Sequence, residues 1–343
     1  MNRKIEGFIT FLEKICYDKE SGSENKAVLA KLRRCLGKSF DEIGTTRSYF
    51  ERFLISEAEQ QRDLYVLVAS LFAKHPELNT TAKNSVGKIH KQMGETDSTE
   101  QRFKKLLHAH QGEQFNTHLR HAVQFAQSQG ILINYAQLLK DSLNWANQEQ
   151  HVPVQLQWAI DFWTVENHVN EEEFIKSLEK LDKENTALAK LKRGLGKRFG
   201  DIEMYPYVVP FLPKESFKHP YYLLVASLFG MHSSHTPEKS HSMGKVYWQI
   251  KREYKDAESV EKRFVALLNA HHDELDYHLR QAVSMAKSKY ISINYQSLLK
   301  DILDWHHLRD KRKSVQFRWA QDYWKKADTQ PKKEEPDETT QML

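Results

Sequence analysis

The chain has only two cysteines in 343 residues, Cys16 and Cys35, both within the first 35 positions. Neither recurs later in the chain, where Leu181 and Gly194 hold the nearest corresponding places, which argues against a framework disulfide and fits a reducing cytoplasm better than a secreted fold. Long hydrophobic runs are lacking too. No stretch approaches the ~18 continuous apolar residues of a membrane helix, and the first thirteen residues carry no signal-peptide core. No membrane partner is therefore expected. Three catalytic signatures are missing: a Walker-type Gly-rich loop, His-Glu-X-X-His and Gly-X-Ser-X-Gly. Nor is there a large excess of one charge, since 51 Lys and Arg face 46 Asp and Glu. A net +5 permits nucleic-acid contact without demanding it.

What the chain does contain is one sequence twice. His118-Leu119-Arg120, Ile133-Asn134-Tyr135, Leu138-Leu139-Lys140-Asp141 and Trp145 return as His278-Leu279-Arg280, Ile293-Asn294-Tyr295, Leu298-Leu299-Lys300-Asp301 and Trp305, each 160 positions on. Further out, Leu67-Val68-Ala69-Ser70-Leu71-Phe72 returns as Leu224-Val225-Ala226-Ser227-Leu228-Phe229, and Ser85-Val86-Gly87-Lys88 as Ser242-Met243-Gly244-Lys245. A period this long is a domain duplication rather than a solenoid repeat. The expected division is a first domain at 1–163, a linker at 164–173, a second domain at 174–328 and a disordered charged tail at 329–343. Ten linker residues span at most about 35 Å extended and about 15 Å as helix, so the two copies must stay close.

The periodicity is helical nearly throughout. Phe115, Leu119, Ala122, Val123 and Ala126 share one helix face, as do Leu275, Leu279, Ala282, Val283 and Ala286. Asn134 and Asn294 each precede Tyr-X-X-Leu-Leu and are read as N-caps. Pro153 suits a helix start. The closing helix carries Val154, Trp158 and Phe162 in one copy and Val315, Trp319 and Tyr323 in the other. The fold class is all-α: two homologous helical bundles joined by a short linker.

A catalytic or metal centre finds little support. His108-X-His110 becomes Asn269-X-His271 in the second copy, and His232, His235 and His241 have no matching ligand set in the first. No metal and no cofactor are expected. Asp141 and Asp301 recur, as do Asp161 and Asp322, but without a nucleophile or oxyanion donors they read as surface charge of ordinary helices. The chain is read as a non-enzyme. Of the repeated tryptophans, Trp158 and Trp319 belong to the core stripe, while Trp145, Trp305, Trp163 and Trp324 stay open as base-stacking candidates.

Basic residues remain. Arg33 and Arg34 recur as Lys192 and Arg193, Lys38 as Lys197 and Arg198, Lys88 as Lys245, Arg102 as Arg263, and Arg120 as Arg280. Gly37, Gly196, Gly87 and Gly244 stand directly before four of these lysines. A glycine lets backbone approach closely, and a neighbouring lysine meets a phosphate as a point charge. Arg102 and Arg263, each preceding a Phe of an apolar stripe, suit either a buried ion pair or a nucleic-acid contact. Residues 171–328 hold 28 basic against 22 acidic side chains, whereas 1–170 hold 21 against 20. The second copy is thus the basic one.

These motifs resemble the CasB family, the small subunit of the type I-E CRISPR surveillance complex called Cascade. The resemblance is carried by Leu32-Arg33-Arg34, Ser85-Val86-Gly87-Lys88, Gln101-Arg102-Phe103-Lys104-Lys105-Leu106-Leu107 and Leu138 to Trp145. It is strongest in Val154-Gln155-Leu156-Gln157-Trp158-Ala159-Ile160-Asp161-Phe162-Trp163 and its copy Val315-Gln316-Phe317-Arg318-Trp319-Ala320-Gln321-Asp322-Tyr323-Trp324. It implies a non-catalytic helical subunit, partnered by other Cascade subunits, CRISPR RNA and target DNA. Such a subunit supports the guide–target hybrid and the displaced strand through basic residues while base pairing reads the sequence. The departure from the family is the fusion, which fixes two small-subunit copies per chain and lets them specialise, the basic second copy expected to lie closer to DNA and the near-neutral first to lean on protein neighbours. A different reading is a helical protein–protein scaffold that makes no nucleic-acid contact.

Overall fold

The computed structural model describes residues 2–17, 23–54, 57–76, 84–94, 96–147, 152–164, 170–238, 241–254, 256–305 and 314–325. Among them the structure is helical, and the only β-type pairings are two isolated bridges, Tyr17 with Glu24 and His235 with Ile293. The helices group into two compact units, Met1–Ser227 and Leu228–Leu343. The first unit holds the whole first repeat together with the opening third of the second.

In the first unit the helices are α1 (Asn2–Cys16), α2 (Lys26–Arg34), α3 (Glu51–Leu54), α4 (Glu59–Lys74), α5 (Val86–Gln92) and α6 (Asp97–His108). They continue with α7 (Glu113–Ser128), α8 (Tyr135–Leu143), α9 (Val154–Trp163), α10 (Glu171–Lys180), α11 (Asn185–Lys192) and α12 (Tyr205–Val208). Helix α13 (His219–Met231) contains the boundary, and α14 (Met243–Glu253), α15 (Ala257–Leu268), α16 (Leu275–Ser288), α17 (Tyr295–Leu303) and α18 (Val315–Trp324) follow.

Helix α4 is the axis of the first unit. Every residue from Leu64 to Ala73 is buried, as a helix apolar on all sides must be. Around it pack α2, α7 and α8. Helix α1 buries the stripe Ile5, Phe8, Ile9, Leu12 and Cys16. Both expected N-caps form: Asn134 accepts from the Gln137 N–H at 2.9 Å and Asn294 from the Ser297 N–H at 2.8 Å. The two predicted faces of α7 and α16 are buried as read.

The linker does not prolong α9. That helix ends at Trp163 with Thr164 extended, and Asn170 caps α10 by accepting from the Glu173 N–H at 2.9 Å. Residues 171–173, expected in the linker, form the first turn of α10. Residues 165–169 and the tail at 329–343 lie outside the described residues.

Candidate nucleic-acid interface

The recurring acids are internal. Asp141 and Asp301 are buried, and each accepts the indole N–H of the tryptophan in the closing helix, Trp158 and Trp319 respectively, at 2.7 Å. This corrects the reading of both as helix-surface charge. Burial pushes the Asp141 carboxyl up to about 6, against the opposing hydrogen bond from Trp158, and pushes Asp301 up in the same direction. Asp161 and Asp322 accept from the hydroxyls of Ser85 and Ser242, the N-caps of α5 and α14. Both pairs therefore join the closing helix to its neighbour.

Two of the glycines serve the same junction. A Cβ on Gly87 would meet the carbonyl oxygen of Trp158 at 2.1 Å, and one on Gly244 would meet that of Trp319 at 2.1 Å. The close approach these glycines permit is thus to another helix backbone, inside the bundle. Gly37 and Gly196 differ: both take positive φ, +86° and +77°, in the turn after α2 and α11, where an L side chain is strained.

The histidines have structural partners. His75 Nε2 lies 3.2 Å from the Ile131 carbonyl, and its copy His232 lies 2.8 Å from that of Ile291. His235 and His241 bind the next two carbonyls, of Ile293 and Ser292, at 3.1 and 2.9 Å. The loop cluster 232, 235 and 241 therefore secures the extended segment before α17. Trp145 and Trp305 are buried, donating to the carbonyls of Ala109 and Ala270, so neither presents a face for base stacking. Trp163 is half-buried and Trp324 is 46% exposed.

The predicted basic residues lie at the surface. Arg33, Arg34, Lys38, Lys88, Arg102, Lys192, Arg193, Lys197, Arg198 and Arg263 are exposed, while Arg120, Lys245 and Arg280 are half-buried. Exposure of Arg102 and Arg263 removes the buried-ion-pair alternative for both. Arg34, Lys38, Lys88, Arg102, Lys192 and Arg193 have no ion-pair partner among the described residues. Others are tied down: Arg33 donates to the Ala73 carbonyl at 2.7 Å, Lys197 pairs with Asp201, Lys245 lies 3.8 Å from Glu238 and Arg280 lies 3.2 Å from Asp276. The fold brings Arg120 to the Gly37–Lys38 turn, its Nη2 standing 3.0 Å from where a Gly37 Cβ would be. Lys88 and Arg102 remain on separate helices, α5 and α6.

Lys197 and Arg198 have a further neighbour that the sequence did not disclose. They line a cavity of about 450 Å³ with His108, Pro153 and Gln155 of the first repeat. At this seam α9 packs on α12 and the 3-10 turn Val209–Phe211, and α6 meets the turn Ile202–Met204. His108 Nε2 lies 3.0 Å from Glu203 Oε1, and Lys190 lies 3.8 Å from the other Glu203 oxygen. Their repeat counterparts are Asn269 and Gly44, so the clasp exists once.

Similarity to known proteins agrees with this duplicated layout. The sequence model of the CRISPR-associated protein Cse2 family matches residues 28–163 and again 187–324. The CRISPR-associated protein Cse2 of Thermus thermophilus is 33% identical over 122 residues, which are 35% of this chain and 66% of that protein. A crystal structure of a Cse2-family protein, also from Thermus thermophilus, is 32% identical, covering 46% of this chain and 99% of that one with a TM-score of 0.39. The CasB crystal structure from M. ruber is 28% identical over 46% of this chain and 94% of its own, also at 0.39. With its sequence model matched over both halves, the chain belongs to the CRISPR-associated Cse2 (CasB) family and carries that family's domain as a tandem duplication.

Proposed function

We propose that the chain is a non-catalytic subunit of a type I-E Cascade complex in which one polypeptide fills both small-subunit positions. Each repeat, 1–163 and 174–328, supplies one copy. Together they hold the guide RNA–target DNA hybrid and the displaced strand by contacts to the sugar-phosphate backbone. The observation that carries this reading is the set of exposed cations without a carboxylate partner at matched positions: Arg34 with Arg193, and Arg102 with Arg263. An exposed cation without a carboxylate is free to replace condensed counterions on a phosphate. A modest net charge suits a support that tips a nearly balanced strand exchange, with only weak binding of nucleic acid on its own. Fusion makes docking of the second copy intramolecular, at effective concentrations of order millimolar.

The test is purification of the tagged protein from its native cells, with analysis of the RNA and protein that accompany it. A short RNA of uniform length, with several copies of a backbone subunit per tagged chain, is the expected result. Recovery of proteins without RNA at gentle salt would overturn it in favour of the scaffold reading. In the assembled complex, reversing Lys192, Arg193, Lys197 and Arg198 to Glu should weaken target-DNA binding more than reversing Arg33, Arg34 and Lys38. Equal losses would remove the specialisation of the second repeat.

A further inference from the structure

The turns that end α7 and α16 are built alike but tipped differently. In the first repeat the Ile131 N–H donates to the Ala126 carbonyl at 2.9 Å, and Gly130 before it sits at φ +64°. This is a helix terminator whose left-handed position favours glycine. In the second repeat the Ile291 N–H donates to the Ala286 carbonyl at 3.0 Å, and the left-handed position is held by Tyr290 at φ +56°. Tyr290 is the only non-glycine at positive φ among the described residues. A bulky L residue is rare there, and residues so held concentrate at functional sites. The residue is 91% exposed, so packing within the fold does not account for it.

The rest of the turn changed with it. Gln127-Ser128-Gln129-Gly130 of the first repeat corresponds to Lys287-Ser288-Lys289-Tyr290 of the second, adding two cations and one aromatic ring. Tyr290 and Lys289 border a cavity of about 470 Å³, completed by Gln249, Arg252, Glu253 and Ser292 among others. The Arg252 guanidinium lies 4.9 Å from the centre of the Trp248 ring, and Lys289 Nζ lies 4.8 Å from that of Tyr254, which orients both side chains. Lys287 Nζ donates to the Met231 carbonyl at 2.8 Å. Two carboxylates, Glu238 and Glu253, also border the cavity. This mixed lining suits the donor and acceptor edge of a neutral base better than a phosphate, while Lys287 and Lys289 flank it with positive charge.

We propose that the turn at 287–290 is a stacking site for an unpaired nucleobase of a single-stranded nucleic acid, present in the second repeat alone. The proposal rests on the nucleic-acid reading above and assigns it a residue outside the recurring basic set. Tyr290 supplies a sequence-tolerant π face, and the two lysines hold the neighbouring phosphates.

The test is fluorescence anisotropy of a labelled oligothymidylate titrated with the full chain at low salt, for the unmodified protein, Tyr290→Gly and Tyr290→Trp. Tyr290→Gly installs the first repeat's residue, so its melting temperature should stay level or rise while affinity falls about tenfold. Tyr290→Trp should bind as well as the unmodified chain. Unchanged affinity in Tyr290→Gly would overturn the stacking site and leave the nucleic-acid reading standing. Absence of binding by the unmodified chain at low salt would overturn the stacking site, while the nucleic-acid reading stands or falls on the RNA that accompanies the tagged protein. Loss of a co-purifying protein from Tyr290→Gly with oligothymidylate affinity intact would make the turn a protein contact and also overturn the proposal.

Discussion

The indole N–H of Trp158 donates to the buried carboxylate of Asp141 across 2.7 Å. The second repeat keeps the same bond between Trp319 and Asp301. A charged acceptor makes this hydrogen bond strong, and the low-dielectric site makes the charge costly. The two effects do not cancel: burial wins and the Asp141 carboxyl titrates near 6 rather than near 3.8.

Stability should therefore depend on Asp141 with a defined sign. A folded pKa above the unfolded one means that the native state binds the proton more tightly between pH 3.8 and about 6. Stability from this group is highest below that window and falls as pH rises through it, by about 3 kcal/mol in all. Asp141→Asn keeps an acceptor for Trp158 and removes the titration. Urea unfolding at pH 4.5 and pH 7 should show the variant gaining on the unmodified protein at the higher pH. A difference independent of pH would mean that the carboxyl is not perturbed.

His90 should act with the opposite sign. Its ring is buried against Phe103 at 4.9 Å, Nδ1 lies 2.9 Å from the Val86 carbonyl, and burial holds the imidazole down to about 4. The native state excludes a proton that the unfolded chain accepts below about 6.5. Stability is complete above that value and falls as pH drops toward 4, by about 3 kcal/mol. The second repeat has Tyr247 at this position, packed on Phe264 at the same 4.9 Å. His90→Tyr should abolish the acid loss in urea titrations between pH 7 and pH 4.5. Retention of the loss would place its origin elsewhere.

Glycine-to-alanine changes should separate packing from propensity. In an exposed helix interior the change stabilises by about 0.5–1 kcal/mol. Gly7 in α1 is such a site, with no atom within 4 Å of an added Cβ. Gly87 and Gly244 face a carbonyl oxygen at 2.1 Å, so alanine there forces α5 from α9, or α14 from α18, at a cost of about 1–3 kcal/mol or more. Thermal melts should rise for Gly7→Ala and fall for the other two. A rise at all three would show that the helix pairs part without cost.

The contrast among these residues explains what the sequence discloses. The N-caps at Asn134 and Asn294 and the stripes of α7 and α16 depend on neighbours three or four positions away, so periodicity finds them. The burial of Asp141 depends on Trp158, seventeen residues on, and the tightness at Gly87 depends on α9, seventy residues on. Local pattern carries no such information. Tyr290 becomes conspicuous only when aligned with Gly130, and its backbone angle only in three dimensions. The exposed state of Arg102 and Arg263 likewise had to be seen, since a residue beside a core Phe faces inward or outward with equal ease in sequence.

The seam inside the first unit makes one position unequal between the repeats. Leu156 of α9 is fully buried, and α9 packs on α12 and the turn Val209–Phe211. Its copy Phe317 in α18 is 41% exposed, and the next positions along that face, Ile160 and Trp163, become Gln321 and the largely exposed Trp324. Truncation of a buried leucine removes its transfer energy and leaves a cavity, about 2–5 kcal/mol. Truncation of an exposed phenylalanine on the isolated chain should cost less than about 1 kcal/mol. Leu156→Ala should accordingly lower the urea midpoint far more than Phe317→Ala, although Phe is the larger side chain. Equal destabilisation by the two substitutions would mean that α9 owes its burial to its own bundle and that the repeats meet without mutual support.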